Sequence, residues 1–215
     1  MKKQSKRNLL LAICMLVAFL LWTVAIRFID VQAIGPREST VGLATINRCV
    51  HNLTGVHMSL YIITDWLGLV PIGVCVGFAI FGLVQWIRRK NLLKVDFNIL
   101  VLGGFYIITM VVYLLFENIV INYRPVLING YLEASYPSST TMLVLCVMST
   151  AIMQLNNRIN NNIVKAVVNC AIAVFIGFMV VGRLLSGVHW FTDIIGGVLI
   201  SSGLVFMYWA VAEIR

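Results

Sequence analysis

The chain has 215 residues, 60% hydrophobic and 11% charged, with a formal net charge of +8. This composition excludes an ordinary soluble domain and fits a helical membrane protein. At ~20 residues per span the length holds five or six crossings and little else, so a single membrane domain over residues 1–215 is expected.

In chain order, the basic stretch "MKKQSKR" leads into an apolar segment at 8–28. No small-x-small cleavage site closes that run and it is long enough to span, so it reads as a retained helix rather than a signal peptide. The connection 29–60 carries His51, His57 and the sequon Asn52-Leu53-Thr54. A second span at 61–87 has Asp65 near its start, and a third covers 97–116. The connection 117–138 holds Arg124-Pro125, and the fourth span, 139–155, opens on "PSSTT". The loop "NNRINNN" leads to a fifth span at 164–185, then a short link, 186–190, and a sixth span at 191–212. The expected fold is an all-α membrane protein with six transmembrane helices in one bundle.

The positive charge alternates along this layout. Lys2, Lys3, Lys6 and Arg7 precede the first span, Arg88, Arg89, Lys90 and Lys94 follow the second, and Arg158 and Lys165 surround the fourth-to-fifth connection. Basic residues in alternate loops mark the cytoplasmic side and are not a nucleic-acid footprint. Both termini are therefore expected in the cytoplasm, with 29–60, 117–138 and 186–190 outside. The five cysteines, Cys14, Cys49, Cys75, Cys146 and Cys170, show no metal-ligand spacing. Oligomeric state has no signature.

This topology gathers the remaining polar residues at the outer ends of the spans, where charge is costly and usually functional. In "GRLLSGVHWFTD", Asp193 follows His189 by one helical turn, so a carboxylate can fix the imidazole tautomer and leave the other nitrogen free to attack. Arg183 and Arg124 supply planar forks suited to phosphate oxygens. Ser138, Ser139 and the free amides opening the fourth helix add anion-binding donors. Taken singly, these residues read as an interfacial anchor, a snorkelling arginine and an ordinary helix cap. Their convergence from three segments reads as a phosphate pocket with a nucleophile.

The pattern resembles the type 2 phosphatidic acid phosphatase family, membrane relatives of the vanadium haloperoxidases, with the signature KxxxxxxRP, PSGH and SRxxxxxHxxxD. The third motif is present as Gly182-Arg183-x5-His189-x3-Asp193, the RP pair as Arg124-Pro125, and the PS pair as Pro137-Ser138. The resemblance implies a metal-independent, cofactor-free lipid phosphatase or diphosphatase in a bacterial plasma membrane, its site facing outward. His189 would form a phosphohistidine and Asp193 would orient it. Arg124, Arg183 and Ser138 would bind phosphoryl oxygens, with Ser139 and Thr140 beside them.

Two signature residues are replaced. Glu117 stands at the lysine position and Thr140 at that of the general-acid histidine, and a threonine hydroxyl does not titrate near neutrality. Loss of a positioned acid costs ~10²–10⁴ in rate, least when the leaving group is itself a phosphate, which favours a diphosphate substrate. His51 or His57 folding over the pocket, tuned by Asp65, is one replacement acid; solvated loop histidines are the other reading. Two further functions stay open at this level: a head-group phosphotransferase, and a lapsed enzyme that binds or transports anionic lipid.

Overall fold

The computed structural model describes residues 3–213. Six apolar helical segments are long enough to cross a bilayer, as expected. The first is α1 (Lys3–Phe28). The second is two helices rather than one, α3 (Met58–Leu67) and α4 (Leu69–Arg89), which meet at Gly68. The others are α5 (Phe97–Asn118), α6 (Ser139–Asn156), α7 (Asn162–Leu185) and α8 (Phe191–Ala212).

Helices α6 and α8 form the centre, and α1 packs along α8. One core cluster joins Phe19, Leu102, Tyr136, Met142, Cys146, Leu204 and Tyr208 across α1, α5, α6 and α8, while a second joins Val144, Met148, Ile172 and Met179 between α6 and α7. Such close packing needs small residues on α8. A Cβ at Gly196 would strike the Tyr136 ring. Ser5 Oγ donates to the Ala210 carbonyl, and Asn8 to Glu213, so the two ends of the described chain lie at one end of the bundle.

The connections at the other end are more ordered than their polar sequences suggest. Residues 29–60 contain a short antiparallel pair, β1 (Gln32–Ala33) and β2 (Thr40–Val41), and the helix α2 (Ala44–Thr54). Buried Asn47 on α2 ties this segment to the start of α8: its side chain accepts from the Thr192 amide at 3.1 Å and donates to Thr192 Oγ1 at 3.0 Å. Residues 117–138 fold back on themselves. Ile128 pairs with Tyr131 across Asn129-Gly130, both of positive φ, and Tyr123 pairs with Ala134. Asn-Gly is the pair that such a tight reversal favours. This strap sets Arg124 opposite Glu133 and brings Ser135 to the bundle.

Candidate active site

His189 sits in the link between α7 and α8, 3% exposed. Gly187, two residues earlier, has φ +68, and a Cβ there would run into the Gly55 carbonyl, so the link takes this course only with glycine. On the other side, the Trp190 amide donates to Asp193 Oδ2 at 2.9 Å and caps α8. Trp190 Nε1 reaches the Tyr123 carbonyl at 2.8 Å, joining the link to the strap.

The His189–Asp193 pair has a member that the sequence reading missed. His189 Nδ1 lies 3.8 Å from Asp193 Oδ2, beyond a direct hydrogen bond. Ser135 lies between them. Its Oγ donates to Asp193 Oδ2 at 2.5 Å and is 3.0 Å from His189 Nδ1, so it accepts the Nδ1 proton. A hydroxyl with one donor and two lone pairs fits both roles. The chain of bonds places hydrogen on Nδ1 and leaves Nε2 with a free lone pair. Nε2 is buried without a partner in the described protein. Burial, the largest influence, pushes the His189 pKa down to about 4; the nearby Asp193 carboxylate opposes it, and Arg124 and Arg183 reinforce it. The imidazole is thus neutral and nucleophilic at neutral pH.

The two guanidinium groups both lie against Tyr61. The Arg183 and Arg124 guanidinium carbons lie 5.0 Å and 5.9 Å from the centroid of its ring. Arg183, 2% exposed at the end of α7, donates to Thr64 Oγ1 at 3.3 Å, to Asp65 Oδ1 at 3.2 Å and to Thr140 Oγ1 at 2.5 Å. Arg124 makes a cross-strand ion pair with Glu133 at 3.1 Å. Arg183 Nε and Arg124 Nη1 are buried donors without partners. An unsatisfied buried cation is costly, and an incoming anion relieves that cost.

The other expected residues separate into those at the cavity and those away from it. A cavity of about 350 Å³ is lined by His189, Arg124, Ser139 and Ser135, and also by Glu117 and Glu133. Ser138 is buried; its Oγ takes the Thr141 amide at 3.5 Å as the cap of α6, and its own amide donates to the Asp193 carbonyl. Thr140 is a ligand of Arg183. Asp65, 58% exposed at its side chain, pairs with Arg183 and not with a histidine. His57 turns back onto the Thr54 carbonyl, at 2.9 Å. His51 packs on Trp190, ring centroids 5.4 Å apart, and its burial lowers its pKa. Neither histidine lines the cavity. Among the described residues, no group of three or more His, Cys, Asp or Glu is placed to hold a metal.

Ser135 was missed because only the fold of the strap brings it to His189. One signal was available: Asn129-Gly130 marks the reversal that folds the two halves of the strap together, but the register changes by two residues between the Ile128–Tyr131 and Tyr123–Ala134 pairs, so the turn alone does not give the partners.

The model of the PAP2 superfamily matches residues 98–215. Among solved structures, the chain is similar to the first transmembrane PAP2 type phosphatidylglycerolphosphate phosphatase from Bacillus subtilis, at 18% identity and a TM-score of 0.57, covering 93% of this chain and 94% of that one. No curated protein matches the chain.

Proposed function

The chain belongs to the PAP2 superfamily and is an integral, multi-pass membrane protein, and from that premise we propose that it is a lipid phosphatase or diphosphatase working through a phosphohistidine at His189. The observation that carries this is the buried, unpartnered Nε2 at a cavity shared with Arg124, while Nδ1 is tied through Ser135 to Asp193.

Nε2 attacks phosphorus and the bond to the leaving oxygen breaks. The imidazole then carries hydrogen on Nδ1 and a phosphoryl group on Nε2, hence a positive charge, which Asp193 stabilises through the Ser135 hydroxyl. Arg124 Nη1, at the cavity, is a donor for the equatorial oxygens, where charge gathers in the transition state, and Arg183 Nε is a second buried free donor outside the cavity lining. Ser139 adds a hydroxyl. Water then cleaves the N–P bond and regenerates the histidine. The scheme uses side chains alone. Apart from His189, no histidine lines the cavity, so no imidazole stands there to protonate the leaving group. The residues Lys3, Arg88, Arg89, Lys94, Arg158 and Lys165 lie in the loops and ends opposite the cavity, which supports cytoplasmic termini and an outward-facing site.

The test is phosphate release from a panel of lipid mono- and diphosphates by purified protein, beside His189→Ala. Turnover should fall to background in the variant, and wild type quenched in alkali should retain an acid-labile phosphoryl group on His189. Release that continues in His189→Ala at the wild-type rate would refute the assignment.

A further inference from the structure

Two polar atoms beside the His189 relay are buried without a partner among the described residues, and they are complementary. One is Asp193 Oδ1, an acceptor; the other is the Asn122 side-chain nitrogen Nδ2, a donor. Asn122 is 1% exposed and Asp193 fully buried. The register of the strap sets Asn122 toward the relay. Ser135 donates its amide to the Asn122 carbonyl at 2.9 Å, and Arg124 donates its amide to the Glu133 carbonyl at 3.0 Å, around the Tyr123–Ala134 pair. Asn122 therefore lies directly opposite Ser135. Directly opposed residues share one face of a strand pair, their Cβ atoms about 5 Å apart. Asn122 thus faces the same way as Ser135, whose Oγ bonds both Asp193 Oδ2 and His189 Nδ1.

The strap itself takes only the backbone carbonyl of Asn122, so its pairing would tolerate an apolar side chain there. A buried amide donor with nothing to bond is costlier than an apolar group of the same shape. Asp193 has the matching need: the Ser135 hydroxyl and the Trp190 amide both go to Oδ2, and neither holds Oδ1. Resting on the phosphohistidine reading, we propose that Asn122 is a positioning residue for His189, its Nδ2 donating to Asp193 Oδ1 when the imidazole is phosphorylated. As the N–P bond forms at Nε2, the ring keeps hydrogen on Nδ1 and becomes positively charged. A donor on Oδ1 then keeps Oδ2 turned to Ser135, and the ionised acceptor makes that bond stronger than one between neutral groups. Asn122 does not line the cavity. It acts through Asp193 and Ser135, and so on kcat rather than on substrate binding.

The test is Asn122→Leu, close in volume and without a donor, in full-length protein in detergent. With the most active lipid phosphate of the panel, kcat should fall about tenfold, the usual effect of losing one hydrogen bond to a charged group, while KM stays within about twofold. On a Ser135→Ala background the same substitution should cost less than about threefold, because the path to the imidazole is already cut. Asn122→Ala, too small to clash, carries the same expectations if Asn122→Leu does not fold. Orthovanadate, a five-coordinate mimic of the transition state when bonded to Nε2, reads the relay without turnover. Its affinity should fall about tenfold in Asn122→Leu and be lost in His189→Ala. Equal binding of vanadate by wild type and His189→Ala would end the phosphohistidine reading and this proposal with it. Binding lost in His189→Ala but kept within about twofold in Asn122→Leu, or a kcat loss undiminished by Ser135→Ala, would overturn the role of Asn122 alone.

Discussion

His189 and Arg183 are six residues apart in sequence, yet the walls that hold them differ. His189 belongs to the interior: its relay reaches Asp193 on the largely buried helix α8, and Asn47, Trp190 and Ser135 close the space around it. Arg183 ends α7 and faces the α3–α4 span, which is mostly exposed on the outside of the bundle. Arg183 is as buried as His189, but polar and aromatic partners set its place: the Tyr61 ring, the Thr64 and Thr140 hydroxyls, and the exposed Asp65. The direction of the imidazole is fixed by surrounding atoms that cannot move without opening the core. The Arg183 charge is held by several bonds, some of them replaceable by water.

The contrast makes graded predictions. The largest effect should come from Asp193→Asn, which removes the negative charge that the proposed phosphohistidine needs. A fall in kcat on the order of 10⁴ is expected, and a loss under tenfold would show that the carboxylate only caps α8. Next is Ser135→Ala, expected to cost on the order of 10² in kcat with little change in KM, with partial recovery in Ser135→Thr. If Ser135→Ala keeps full activity, Nδ1 and Asp193 close the 3.8 Å gap by themselves and the relay is dispensable.

The arginine wall should respond in KM as well as kcat. Arg183→Lys leaves one charge but loses the fork that joins Asp65, Thr140 and Thr64, and a reduction in kcat/KM of about tenfold to 100-fold is expected. Asp65→Asn sits at the bottom of the scale, because an exposed partner is screened by water and typically contributes less than about 1 kcal/mol. Its kcat/KM should stay within about fivefold of wild type, and a larger drop would mean that the outer rim also positions Arg183.

The same contrast appears with pH. His189, its pKa lowered to about 4 chiefly by burial, stays neutral until well below the ordinary 6.5. The acid limb of kcat/KM should therefore fall near pH 4; a limb near 6.5 would show a solvated imidazole. The sign for stability follows the same shift. Between 6.5 and about 4 the unfolded chain binds a proton that the folded chain refuses, so this group makes stability decline as pH falls through that window.

The six spans, the motif His189-x3-Asp193 and the presence of two arginines at one end were legible in the sequence, because each follows from a local rule. A bilayer demands a fixed length of apolar chain, and residues one turn apart share a helix face. The break at Gly68 was not legible, since an apolar run continues through it and hydropathy does not register a change of helix axis. Nor was the fate of "PSSTT": Ser138 caps and Thr140 holds Arg183, and only the approach of α7 to α6 decides between those uses and phosphate binding.

By itself the sequence determined that the chain crosses a membrane six times and that an imidazole, a carboxylate and two guanidiniums gather at one end. Tertiary structure alone decided that a serine joins the imidazole to the carboxylate, that one tyrosine ring lies against both guanidiniums, and that Glu117 lines the cavity of His189. The physical reason is distance along the chain. Pattern in a sequence reports what neighbours a few residues apart must do, whereas Ser135, Tyr61 and Glu117 meet the site only through the packing of separate helices and the fold of the strap.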